Sequence, residues 1–230
     1  MANCIIGENK LIELNISMGS ICYKLVKVEP GRFIMGGTST FDSPEKIVQI
    51  DKAFYIGKYP VTQKFWKEVM REEVPSKYIG ANRPVDEVLE ADSNKFIKTL
   101  NKLTGMNFSI PTEEQWEFAA RGGVYSKGYK LSGGNEPSEL FGKNEVEDGY
   151  QSITYDVGIF KSNELGLYDM NSNVSEWCIK DKNRNILVLK GGVLGYEGGL
   201  IGDACSIAEE IRETADSYTP NKGIRIVLNI

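Results

Sequence analysis

The stretch Gly166-Leu-Tyr-Asp-Met-Asn-Ser-Asn-Val-Ser-Glu-Trp177 constrains what this chain can fold into more than any other segment. It has no apolar period of the kind that makes an ordinary helix or strand. Gly166, Asp169, Asn171, Ser172, Asn173 and Glu176 are turn formers, oxygen donors or both. Tyr168, Met170, Val174 and Trp177 are apolar anchors set between them. This alternation predicts a compact, internally bonded loop pinned into a core. With 24 glycines in 230 residues, the rest of the chain also reads as rich in turns and irregular backbone, not as a helical bundle.

The bulk numbers set limits on function. Hydrophobic residues make up 41% and charged residues 26%, an ordinary globular composition. A net charge of −5 gives no basic face for nucleic acid. No run approaches the ~18 apolar residues of a membrane span. The first ten residues lack a basic region followed by an apolar core, so no secretory signal is expected. The expected location is the cytoplasm as synthesised, with carriage on a phage particle or display on a surface through a partner as alternatives. Cys4, Cys22, Cys178 and Cys205 form no zinc spacing and are expected as free thiols. There is no histidine, which removes His-based acid–base chemistry, Ser-His and Cys-His pairs, and His-ligated zinc or iron.

Patterning predicts strands within residues 19–36, broken by the turn Glu29–Arg32, and a strand pair over Ile47–Ile56. Val61–Met70 reads as a helix capped by Thr62. Asp92–Gly105 reads as a second helix, capped by Asp92 or Ser93, with Phe96, Leu100 and Leu103 on one face. Pro111–Gly123 holds a third, with Thr112 and Gln115 as a capping box and Glu113 and Glu114 at its positive end. Turns crowd residues 124–165, leaving room only for short strands such as Ser152–Ile159. Asn185–Lys190 and Gly223–Leu228 read as strands. No linker or composition shift divides the chain, so residues 1–230 are expected as a single domain.

The opening segment resembles the G-L-Y-D-M-x-G-N-V-W-E-W signature of the formylglycine-generating-enzyme (sulfatase-modifying factor) family. Val28–Gly36, Phe54–Thr62, Asn82–Asp86, Pro111–Gly123, Lys190–Gly192 and Gly223–Arg225 are similar to other motifs of that family, in the same order. The resemblance implies an α+β fold of the C-type-lectin-like kind: a small twisted antiparallel sheet, flanking helices and much irregular backbone. Family members that oxidise a substrate cysteine bind copper through two thiolates shortly after the Gly-Gly. The matching stretch here, Val193–Ala204, contains no cysteine. Soft Cu(I) needs sulfur ligands, so no copper and no formylglycine activity are expected. A divergent oxidoreductase with a different active site is the alternative.

Lys190–Arg225 also resembles the variable region of diversity-generating-retroelement target proteins. Cys205–Ala208, Asp216 and Gly223–Arg225 keep that register, while the residues between differ in kind. Scatter inside a kept frame is what a diversified surface looks like, and also what drift in a loop produces. On the first reading residues 190–225 form a variable ligand-binding segment. Its candidate contacts are Tyr196, Glu197, Glu209, Ile211, Glu213, Thr214, Ser217, Tyr218 and Thr219. Mixed aromatic, aliphatic and acidic groups suit a protein or surface ligand with some positive charge. The expected function is non-catalytic binding, with the oligomeric state left open.

Asp169, Ser172, Asn173 and Glu176 offer hard oxygens, suited to Ca²⁺. In calcium-binding family members, the positions matching Asp169, Ser172, Val174 and Glu176 supply side-chain and main-chain oxygens. The competing reading is that Asp169 and Glu176 bond only within the protein. Trp66, Trp116 and Trp177 are expected in the core. Arg121 and Arg225 are expected to pair with Glu117, Glu176 or carbonyl groups.

Overall fold

The computed structural model describes residues 2–6, 11–38, 42–141, 153–181, 183, 185–192, 206–211 and 221–230. The elements are, in order, β1 (Ala2–Ile6), β2 (Ile12–Met18), β3 (Ile21–Val28), β4 (Gly31–Met35), β5 (Lys46–Ile50), β6 (Phe54–Gly57), α1 (Gln63–Met70) and α2 (Glu90–Thr104). There follow β7 (Phe108–Ser109), α3 (Glu113–Ala120), the short α4 (Pro137–Phe141), β8 (Ser175–Asp181), β9 (Ile186–Lys190), β10 (Lys222–Gly223) and β11 (Val227–Asn229). The main sheet has six strands in the order β1-β2-β3-β6-β11-β7. A three-stranded sheet runs β10-β8-β9, and β4 with β5 forms a separate ribbon.

Both faces of the main sheet are covered because its strands alternate between two cores. In β3, Tyr23 and Leu25 join one cluster while Val26 and Val28 join the other. The first core receives Phe65, Trp66 and Val69 from α1, and Phe96 and Leu100 from α2. Tyr23 stacks on Phe65 at 4.5 Å and Trp66 on Phe96 at 4.8 Å between ring centroids. The second core takes Trp116, Phe118, Ala119 and Ala120 from α3. The Gly166–Trp177 segment reaches both, with Leu167 and Met170 in the second core and Trp177 in the first. All three tryptophans are buried, as expected for core residues.

The helix boundaries follow local chemistry. Thr62 is extended and its hydroxyl accepts the Phe65 amide at 3.4 Å, which starts α1. Thr112 Oγ1 accepts from Gln115 N at 3.1 Å, and Gln115 Oε1 accepts from Thr112 N at 3.0 Å, so the expected capping box starts α3. Helix α2 starts earlier than the sequence suggests. Its first residue is Glu90, and Asp92 stands inside it, with Oδ2 accepting the Leu89 amide at 3.1 Å. Gly105 ends it at φ 70°. Leu103, expected on the buried face, is 54% exposed.

Three further differences stand out. The hairpin of β1 and β2 has no counterpart in the sequence reading. The described part of Ser152–Ile159 is turn and coil, not strand. Tyr155 gives both backbone groups to the Asn173 side chain, and Val157 N donates to Asn82 O at 2.9 Å, so no ladder forms there. The expected strand Gly223–Leu228 is split into β10 and β11. Between them, the Ile224 carbonyl accepts from Val61 N and the Ile226 carbonyl from Gly57 N. Among the described residues no helix is long and apolar enough to cross a membrane.

Candidate functional site

The irregular half of the molecule is held by side-chain amides doing the work of a ladder. Asn171 Oδ1 accepts the Ser132 amide and Nδ2 donates to the Ser132 carbonyl, both at 2.8 Å. Asn173 clasps Tyr155 in the same two-way manner, at 2.9 and 3.1 Å. Asn163 Nδ2 donates to the carbonyls of Ala119 and Ala120 and to Ser132 Oγ. Asp169 and Asn173 carry this geometry at φ 61° and 76°, a region that Asn and Asp tolerate better than most residues.

Glu176 lies at the base of this segment and is fully buried. Arg225 Nε donates to both carboxylate oxygens at 3.1 and 2.9 Å, and Nη2 donates to Oε1 at 2.8 Å. Trp116 Nε1 donates to Oε2 at 2.6 Å. The rest of the Arg225 fork goes to the carbonyls of Gly57 and Tyr168, each at 2.8 Å. Arg225 is thus the structural partner that the sequence suggests.

A second buried carboxylate, Glu117, ties three elements together. Its Oε1 accepts the Gly36 amide at 2.7 Å, and Arg121 Nε and Nη2 at 2.9 and 2.7 Å. Its Oε2 accepts Lys190 Nζ at 3.0 Å, and that ammonium also lies 5.9 Å from the centroid of the Trp116 ring. Arg121 Nη2 closes the clasp on the Gly36 carbonyl at 2.6 Å. The Arg121–Glu117 pairing is legible from its i, i+4 spacing on α3; Lys190 and Gly36 are not, since 73 and 81 residues separate them from Glu117.

The calcium positions divide on inspection. The Glu176 carboxylate accepts from a guanidinium and an indole on both oxygens, so that side chain does not fit a cation. Asp169 Oδ2 accepts the Gly158 amide at 2.9 Å, but Oδ1 is buried with no partner. Ser172 Oγ and Thr154 Oγ1 are buried and unpartnered as well. Burial pushes the Asp169 carboxyl up to about 7, against the smaller opposing pull of the Gly158 amide and Arg225. Such orphaned oxygens are the donor chemistry of a hard cation; Val174, whose buried side chain has no polar atom, can contribute only its main-chain carbonyl. Among the described residues no group of three or more His, Cys, Asp or Glu side chains gathers into a metal cluster.

The segment expected to bind ligand is described at its anchors. Gly192 N donates to Asn171 O at 3.3 Å, after which residues 193–205 lie outside the described residues, Tyr196 and Glu197 among them. Ser206 Oγ donates to Asp42 Oδ1 at 2.7 Å, and Ser43 N donates to Ala208 O at 3.1 Å. Glu209 is half-buried and its backbone bridges to Asp42. Ile211 exchanges both backbone bonds with Leu189 of β9, at 2.9 and 3.0 Å, and its partly buried side chain packs on the first core. Glu213, Thr214, Ser217, Tyr218 and Thr219 lie outside the described residues, as does Cys205. Asn221 resumes the frame: its amide donates to Glu87 Oε1 at 3.3 Å and its carbonyl accepts from Ser175 at 3.1 Å.

Two cavities open beside residues 206–210. One of 420 Å³ is lined by Gly36, Asp42, Arg121, Tyr129, Lys130 and Ser206, among others. Its neighbour of 640 Å³ is lined by Asp42, Glu45, Lys46, Glu113, Lys180 and Glu210, among others. Lys180 is bonded to Glu210 across the second cavity.

Comparison with known proteins gives this geometry a family. The sulfatase-modifying factor enzyme 1-like domain matches residues 19–230. The chain is 30% identical to the chaperone protein LppX of Paenibacillus barcinonensis over 88% of each chain. It is 30% identical to the inactive C-alpha-formylglycine-generating enzyme 2 of Bos taurus over 50% of this chain and 42% of that one. Among solved structures, Treponema denticola variable protein 1 superposes with a TM-score of 0.75 at 22% identity, covering 93% of this chain and 98% of that one. PvdO from Pseudomonas aeruginosa superposes with a TM-score of 0.73 at 19% identity, covering 94% and 98%. The fold is α+β and C-type-lectin-like, of the formylglycine-generating-enzyme type, and it is shared with a variable protein. By the domain match over residues 19–230 and the extent of the LppX similarity, the chain belongs to the sulfatase-modifying factor family.

Proposed function

We propose that this chain is a non-catalytic binding protein, with its ligand face built on residues 193–222. The observation that carries the reading is the contrast between the frame and what the frame holds. Lys190, Gly192, Ser206, Ile211, Asn221 and Arg225 are each tied to the core by named bonds. The stretch in which oxidising relatives place two thiolates has none. A rigid frame that fixes the ends of two segments, without soft metal ligands between them, supports recognition and not turnover. The similarity to a protein named a variable protein and to one named an inactive enzyme supports the same reading.

Copper titration with oxygen consumption on a thiol peptide tests the non-catalytic part. No turnover is expected; tight stoichiometric copper with turnover would sink it. The diversified version is tested at the locus. A reverse-transcriptase gene and a near-copy of the segment coding for 190–225 are expected, and the absence of both overturns that version in favour of one fixed partner. Similarity to a protein named a chaperone supports that second version, a constant surface for one client.

Calcium belongs to the same proposal, held by Asp169 Oδ1 and Ser172, with the Glu176 side chain excluded by Arg225. A buried carboxylate oxygen without a partner is costly, and a cation removes that cost. A chelator should then lower the melting temperature of the protein and added Ca²⁺ restore it, because an ion held only by the folded state stabilises that state. An unchanged melting temperature removes the ion from the proposal.

A further inference from the structure

Glu117 is one carboxylate shared by two cations. Its Oε1 takes the Nε and Nη2 groups of Arg121, and its Oε2 takes the ammonium of Lys190. Glu117 and Lys190 have side chains 0% exposed, whereas the Arg121 side chain is 21% exposed. Two positive charges against one negative leave an excess. Lys190 is sealed beneath the Trp116 ring, so that excess has its outlet at Arg121. Arg121 spends Nε and Nη2 on Glu117 and on the Gly36 carbonyl. Its Nη1 has no hydrogen-bond partner among the described residues. Arg121 lines the 420 Å³ cavity together with Lys130, Tyr129, Gly36, Gly37 and Gly128.

We propose that this cavity binds a carboxylate, anchored on Nη1 of Arg121 with Lys130 beside it. A guanidinium already locked in place loses little freedom when an acid docks, and its bond to a carboxylate is charge-assisted. The volume falls within the ~300–1,000 Å³ range of small-ligand sites. Asp42 and Glu45 line the same cavity. They repel a second negative charge and favour an ammonium or amide group next to the acid. The fitting ligand is therefore a monocarboxylate of amphoteric kind, either a free amino acid or the free carboxyl end of a peptide. The charged groups involved, Arg121, Lys130, Asp42 and Glu45, lie outside residues 193–222, although Ser206 and Ala208 of that segment also line the cavity and Ser206 holds Asp42.

The test is a titration of the full chain, labelled with ¹⁵N-arginine, against glycine, the tripeptide acid Ac-Ala-Ala-Ala, its C-terminal amide and citrate. Glycine or the tripeptide acid, or both, should shift the Arg121 side-chain signals saturably; the tighter of the two identifies the source of the carboxylate. Citrate should bind at least about tenfold more weakly, and the amide should leave Arg121 unmoved. Lys130→Gln should weaken the acid about threefold to tenfold. Its fold should be undisturbed, because Lys130 is bonded to Asn135 through its backbone amide alone. Arg121→Gln should abolish binding, with circular dichroism to establish that it folds; if it does not, the Lys130 variant and the acid–amide comparison decide. Equal shifts from acid and amide, or no shift with tens of millimolar acid, overturn the proposal.

Discussion

Arg225 and Glu176 form an ion pair with no exposed side-chain surface to speak of, at 0% and 1%. Such a pair is secured by bonds that also satisfy the remaining donors and acceptors, here Trp116 Nε1 and the Gly57 and Tyr168 carbonyls. Removing one partner leaves the other charge buried alone. Arg225→Ala should therefore cost about 3–5 kcal/mol, read as a lower urea midpoint. Arg225→Lys should rescue only part of that, because an ammonium cannot reproduce the planar fork. The sequence makes this pairing legible through the two motifs that contain the residues. It does not reveal that Trp116 completes the set, since nothing local links an indole on α3 to a carboxylate on β8. Nor does it reveal that the same pairing removes the Glu176 carboxylate from the oxygen set suited to calcium while leaving Asp169 Oδ1 and Ser172 Oγ without partners.

At the level of elements, α3 shows how far local chemistry reaches. Its capping box is readable from Thr112 and Gln115, and Thr112→Ala should cost about 1 kcal/mol in denaturant unfolding, since it leaves the Gln115 amide unpaired. Glu113 is different. As an acid at a helix N-terminus it reads as favourable, yet burial raises its pKa, with Glu210 adding to the rise and Lys180 and Lys46 opposing it. A carboxyl whose folded pKa lies above its unfolded value binds its proton more firmly when folded. Stability is then lost as pH rises out of the ordinary carboxylate range and through the folded pKa. Glu113→Gln should thus stabilise the protein at pH 7, and the gain should vanish as pH falls below about 4. A loss of stability at pH 7 would show that Lys46 and Lys180 outweigh burial. The start of α2 is less legible, because no side chain ahead of it caps it; instead Asp92, inside the helix, accepts the amide of Leu89 just before it. The stretch around Tyr155 escapes strand reading for a similar reason: its backbone partners are a side chain 18 residues away and a carbonyl in another loop.

At the scale of the whole molecule, the six-stranded sheet divides two cores, and its first two strands lie ahead of the family match, which begins at residue 19. Ile16 on β2 is nevertheless 3% exposed and part of the first core, with Leu14 packed beside it. Removing residues 1–18 should cost about 3 kcal/mol or more, since it strips large apolar groups from a packed cluster. An unchanged unfolding midpoint would show the hairpin to be an accessory. The sequence by itself determined the order of the family motifs, the caps of α1 and α3, the turn-rich middle, and the absence of histidine and of thiols in Val193–Ala204. These depend on which residues are present and on neighbours within a turn or two of chain. Only the tertiary structure decided which charged groups are spent and which retain a free face. Arg225 meets Glu176 across 49 residues and is consumed, whereas Arg121 reaches back 85 residues to Gly36 and stays partly exposed at the rim of a cavity. The physical reason is that a hydrogen-bonding group is satisfied by whatever the packed backbone brings within about 3 Å, and that proximity is a property of the fold, not of the local chain.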